Sequence, residues 1–177
     1  FVIRGWEQAL SVAEMIPYQN IINHSFTMIP MFMLMGLLVT NTGIGSDMYT
    51  TAHKWIGQIK GGLASASVLA CTGLGAITGG GMTGIMILSK SAVPEMRRYK
   101  YDDRLITGSI AAGSTIATLI PPSIPFILYG LLTEQSVGKL FIAGVIPGIL
   151  EAVIYIATIY LLCTINPSLG PAGPKTS

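Results

Sequence analysis

The residues best placed to do chemistry sit at two short interruptions, Thr78-Gly79-Gly80-Gly81 and Ile120-Pro121-Pro122-Ser123. Each falls inside a stretch free of Asp, Glu, Lys and Arg, residues 61–89 and 105–132 respectively. Consecutive glycines weaken a helix, while proline removes a backbone donor and disfavours helix in the residue before it. Both interruptions therefore release backbone carbonyls, and neutral carbonyls with hydroxyls can hold a hard cation without burying a charge. Enzymatic chemistry would need a nucleophile or paired acids and bases, and no such set appears in the uncharged stretches. His24 and His53 have no evident partner acid or second ligand. Cys71 and Cys163 lack metal-ligand spacing and read as packing residues.

The elements that carry these interruptions follow from composition. Among 177 residues, 51% are hydrophobic and mean hydropathy is +0.64, with a net charge of only +2. Charged residues make up 10% of the chain, against about 25% in soluble domains. Residues 21–46 form a third uncharged stretch, and all three exceed the ~20 residues that cross a bilayer. The expected class is an all-α integral membrane protein. Lys54, Lys60, Lys90, Arg97, Arg98, Lys100 and Arg104 flank the 61–89 stretch on both sides, so both of its ends are expected on the cytoplasmic face. The same basic cluster argues for topology rather than for nucleic acid.

The simplest arrangement is a re-entrant helical hairpin over 61–96 with its tip at the glycines, two ordinary spans being the alternative. Small residues at helical spacing on the first arm, Ala64, Ser67, Cys71, Gly75 and Thr78, allow close approach of another helix. Exposed non-helical backbone at membrane depth needs protein around it. The broken helix, with Ser109, Gly113 and Ala117 on one face, is the expected partner. Around these, residues 1–60 supply an outer segment (1–20), a span over 21–42 and an amphipathic surface helix over 44–60 with Ile44, Met48, Trp55, Ile56 and Ile59. Residues 97–132 hold the basic loop and broken helix. The stretch 133–165 holds a returning span kinked at Pro147-Gly148, and 166–177 reads as a linker.

Several runs of residues in this order resemble a known family. They are Ile29-Pro30-Met31-Phe32-Met33-Leu34-Met35-Gly36, Gly75-Ala76-Ile77-Thr78-Gly79, Pro94-Glu95-Met96-Arg97-Arg98-Tyr99, Ile120-Pro121-Pro122-Ser123 and Gly138 through Gly148. Together they resemble the large membrane subunit of tripartite ATP-independent periplasmic (TRAP) transporters, over nearly the whole chain. The tip departs from the family pattern, with Gly80, Gly81 and Gly84 where members often carry serine or a polar or acidic residue. Backbone ligation there is unaffected by that departure.

The resemblance implies an elevator-type transporter repeat: one hairpin and broken helix of an inverted pair, moving against a scaffold that includes 133–165. It implies a permease subunit in the bacterial inner membrane, importing carboxylate solutes such as C4-dicarboxylates with Na+ as coupling ion. The implied partners are a periplasmic solute-binding protein and a small four-helix membrane subunit. The chain is expected to be the N-terminal half of such a subunit, without its first span. By resemblance, sodium would sit between Thr78 and the Gly79 backbone on one side and the carbonyls of Ala117, Ile120 and Pro122 on the other. Ser123 either caps the second half-helix, whose dipole favours an anionic solute, or serves the fold alone. Glu151, the one acid in an expected span, is read as lying near a helix end, at the interface or the small subunit. A passive channel, or another sodium/dicarboxylate transporter of related inverted-repeat fold, is the alternative, and sodium dependence of uptake separates a channel from a coupled carrier.

Overall fold

The computed structural model describes residues 27–171, together with Leu10, Ser11 and Met15. Most of the outer segment, residues 21–26 of the first span, His24 and the last six residues lie outside the described residues. From residue 28 the chain forms helices α1 (Met28–Asn41), α2 (Ile44–Ile56), α3 (Gly62–Thr78), α4 (Gly81–Arg98), α5 (Asp103–Ile116), α6 (Ile124–Leu132) and α7 (Val137–Ile165). No strand occurs among the described residues, in keeping with an all-α class.

Helix α3 is the centre of the bundle, packed against α1, α2, α4, α5 and α7. Its small side chains set how closely those neighbours come. A Cβ on Gly113 of α5 would stand 3.0 Å from Cys71 Cβ and 3.1 Å from the Val68 Cα, and one on Gly75 would overlap Ala117. All five residues of the stripe Ala64, Ser67, Cys71, Gly75 and Thr78 are buried, as are Leu63 and Leu74, with Cys71 and Gly75 against Gly113 and Ala117, Ser67 against Met96 of α4 and Thr78 against Gly36 of α1. Burial all round is the pattern of a core helix rather than an amphipathic one. Cys71 and Cys163 are both buried free thiols, as their spacing suggests.

Helix α7 has 29 residues, about 43 Å of helix, and is long and apolar enough to cross a membrane. It runs unbroken through Pro147. Gly144 and Gly148 let it seat on the broken helix: a Cβ on Gly148 would lie 2.8 Å from Ile120 Cγ1. Ile142, Ile146, Ile149, Val153 and Leu161 project outward from it, as hydrocarbon-facing residues do.

Lys60, Arg97, Arg98, Lys100 and Arg104 lie close in sequence to one end of the bundle, where chain segments are stitched together. Helix α4 ends in a Schellman turn: Tyr101 N–H donates to Met96 O (3.1 Å) and Lys100 N–H to Arg97 O (2.9 Å), with Lys100 left-handed at φ 59°. Asp102 then caps α5, accepting from Arg104 N–H at 2.8 Å. The Tyr101 hydroxyl accepts from Leu63 N–H (3.3 Å) and donates to Pro171 O (2.8 Å). Residues 166–171, where the expected linker begins, close this end, with Asp102 N–H donating to Leu169 O at 3.0 Å and Gly61 N–H to Gly170 O at 3.2 Å.

Helices α1 and α2 bend by 69° at Thr42-Gly43, so α2 runs strongly across the direction of α1. One face of it packs on the bundle. Gly45, Tyr49 and His53 turn inward, whereas Ile44, Trp55 and Ile59 are exposed. Glycine at 45 lets α2 press against Ile87 of α4, and the Tyr49 ring fills the next turn with His53 stacked on it at 6.3 Å between centroids. The expectation that His53 lacks a partner acid is corrected: its Nδ1 lies 3.4 Å from Glu95 Oε1 on α4. Sequence distance hid that pair, because it forms only once α2 folds back across the hairpin.

Candidate functional site

The hairpin turns within two residues. Gly79 is left-handed at φ 69° and ends α3, its N–H donating to Gly75 O at 2.9 Å, while Gly80 is extended and leads into α4. A left-handed residue at the end of a helix is where glycine is favoured. Thr78, buried at 2% exposure, donates to Leu74 O (2.9 Å) and lies 3.2 Å from Gly80 O. Its hydroxyl hydrogen is engaged within the turn, and its lone pairs remain.

At the break, the missing donors follow directly from the prolines. In a continuing helix the carbonyl of residue i receives the N–H of residue i+4. Residues 121 and 122 have no N–H, so Ala117 O and Thr118 O lose their partners. Ser123 Oγ replaces one by donating to Thr118 O. The Ile124 N–H, which would serve Ile120 O, turns instead to Gly79 O at 3.1 Å. Phe126 N–H, which would serve Pro122 O, approaches Ser123 Oγ at 3.4 Å. Among the described residues, no donor reaches the carbonyls of Ala117, Ile120 or Pro122.

The two interruptions meet. A Cβ on Gly79 would lie 3.0 Å from Pro122 O, and one on Gly81 would overlap the Ser114 carbonyl. Of the six residues singled out in the sequence, Thr78, Gly79, Pro122 and Ser123 thus lie at this junction, whereas Ala117 packs on Gly75, one turn before the tip, and Ile120 packs on Gly148 of α7. Helices α3 and α5 present carbonyl ends there, which favour cations, and α4 and α6 present N-termini, which favour anions.

Comparison with known proteins bears on what such a junction serves. Residues 6–172 match the family described as tripartite ATP-independent periplasmic transporter, DctM component. This chain belongs to that family. It is 36% identical over 155 residues to the C4-dicarboxylate TRAP transporter large permease protein DctM of Pseudomonas aeruginosa, covering 88% of this chain and 36% of that protein. It is 33% identical over 153 residues to the ectoine/5-hydroxyectoine large permease protein UehC of Ruegeria pomeroyi (86% and 35% covered). Identity is 32% over 141 residues to the sialic acid large permease protein SiaM of Vibrio cholerae (80% and 33% covered). The chain spans about a third of the length of these relatives.

Within this TRAP permease chain, Ser123 is a helix cap in fact: it is fully buried, and its hydroxyl is shared between Thr118 O and Phe126 N–H. Glu151 requires a correction. It sits at the midpoint of α7, not near an end, and its Oε1 accepts from Thr115 Oγ1 at 2.9 Å. A polar residue at mid-helix that meets a threonine just before the break was a signal available in the sequence, but only once α5 and α7 were known to be neighbours.

Proposed function

We propose that this chain is the hairpin and broken-helix section of a permease subunit in the bacterial inner membrane, one that imports carboxylate solutes by sodium symport. The observation that carries the reading is the junction at which Ile124 N–H meets Gly79 O beside carbonyls deprived of donors by Pro121 and Pro122. In this reading Na+ is held by Thr78, the Gly79 backbone and the carbonyls of Ala117, Ile120 and Pro122, at the carbonyl ends of α3 and α5. The carboxylate of the solute lies toward the N-termini of α4 and α6, with Ser123 shaping that end. Relatives named for C4-dicarboxylates, ectoine and sialic acid support a carboxylate cargo, since each of those solutes carries that group. The hairpin is re-entrant from the cytoplasmic face and moves as one elevator unit against a scaffold. A periplasmic solute-binding protein delivers the solute, and a small four-helix membrane subunit braces the assembly.

The test is sodium dependence of uptake by the full assembly in liposomes. Thr78→Val keeps shape and removes an oxygen, so the sodium half-saturation should rise by roughly tenfold, a loss of about 1.4 kcal/mol. Pro122→Ala relaxes the break so that the helix can reform and return the Ile124 and Phe126 N–H groups to the carbonyls of residues 120 and 122, which should weaken sodium dependence further. Wild-type sodium response in both variants would place the ion elsewhere, and flux that persists without sodium would favour a channel.

A further inference from the structure

Glu151 is an acid at the midpoint of a helix long enough to span the bilayer, and ionisable groups at that depth are expensive to retain without a task. Among the described residues, no Lys, Arg or His lies within ion-pair distance of it. What it does touch is the last turn of α5. Thr115 Oγ1 donates to Glu151 Oε1 at 2.9 Å, lies 2.7 Å from Ala112 O, and is 3.3 Å from the Tyr155 hydroxyl.

From Thr115 a run of hydrogen bonds crosses the break. Thr118 donates to Thr115 O through its N–H (3.0 Å) and its hydroxyl (2.6 Å). Ser123 Oγ donates to Thr118 O and caps α6, whose first N–H, that of Ile124, binds Gly79 O at the hairpin tip. The carboxyl therefore anchors the turn that ends at Ala117, two residues beyond Thr115, and the carbonyl set has no acid of its own.

We propose that Glu151 is a positioning residue for the cation at the junction: through Thr115 it fixes the last turn of α5, and its charge raises cation affinity without ligating the ion. The inference rests on the junction being a cation site. In a low-dielectric setting a fixed charge acts over longer distances than in water, so direct contact is not required.

Glu151→Gln keeps the shape and an acceptor oxygen for Thr115 while removing the charge. In the full reconstituted assembly its sodium half-saturation should rise by about tenfold, with maximal uptake at saturating sodium and melting temperature close to wild type. Thr115→Val should shift sodium in the same direction, Thr115→Ser should restore it, and the double variant should fall short of the sum of the two single effects because the residues act as one unit. If the Gln variant does not transport, equilibrium binding of radioactive sodium to the purified assembly reads the same shift. Wild-type sodium affinity in Glu151→Gln, with wild-type uptake sodium-dependent, overturns this inference alone. Uptake by the wild-type assembly that ignores sodium overturns both it and the cation reading.

Discussion

The two ends of the hairpin solve opposite problems. At its base, Tyr101, Asp102 and residues 169–171 satisfy backbone groups one by one: Leu63 N–H finds a phenol, Asp102 N–H finds Leu169 O, and Gly61 N–H finds Gly170 O. At its tip, contacts are just as close, but Ala117, Ile120 and Pro122 keep carbonyls that no donor reaches. Buried backbone groups are nearly always paired, so an end left short of donors is the place to look for an ion or a solute. The base is closed by hydrogen bonds and the tip by glycine-sized contacts. Substitutions should therefore damage the two ends in different ways.

The largest effect is expected at the tip from volume alone. A side chain on Gly81 has no room, because its first carbon would overlap the Ser114 carbonyl, and backbone cannot move aside as a flexible side chain can. Gly81→Val should destabilise the subunit by roughly 3 kcal/mol and abolish uptake. Gly80, one residue earlier and extended at φ −154°, meets only Ile124 Cδ1 at 4.0 Å. Gly80→Ala should melt near the wild-type temperature, and equal damage from the two changes, measured on the detergent-purified subunit, would show that turn conformation rather than packing governs the tip.

At the base the expected damage is smaller and of another kind. Tyr101→Phe strands the buried Leu63 N–H and should cost about 1–2 kcal/mol, and, if the proposed sodium site lies at the tip, leave any sodium dependence of uptake unchanged. Burial pushes the Tyr101 phenol up to about 12, so the folded base favours the protonated form. That contribution is complete below the ordinary tyrosine value near 10 and is lost as pH rises from about 10 to 12. The melting temperature should fall over that window, and less steeply in the Phe variant. An unchanged slope would assign the alkaline loss to Tyr49, whose phenol burial also raises.

How much of this could be read beforehand depended on the range of the interaction. Glycines at 79–81 and prolines at 121–122 act on their own backbone, so the turn between α3 and α4 and the break between α5 and α6 were visible as residue types. The small-residue faces of α3 and α5 were likewise periodic in sequence. Contacts between residues far apart in sequence were not visible. His53 finds Glu95 only because Gly45 lets α2 lie on α4, and Glu151 finds Thr115 only because Gly144 and Gly148 seat α7 on the break. The backbone contacts of 169–171 were not legible either, because Pro and Gly content says nothing about which N–H groups a segment will meet.

The smallest expected effect tests whether the outer side of α5 differs from both ends. Gly108 lies within α5 near the base, is exposed, and has open space where a Cβ would go. Glycine inside a helix costs about 0.5–1 kcal/mol relative to alanine through lost conformational freedom, so Gly108→Ala should raise stability by that amount, with uptake unchanged. The gain would be an entropy effect alone, since no contact is made or broken within the chain. If the variant instead melts lower in the full assembly but higher in the isolated subunit, another helix of the assembly approaches α5 at Gly108 as closely as α3 approaches it at Gly113. The small-residue packing seen on the inner face of α5 would then continue on its outer face.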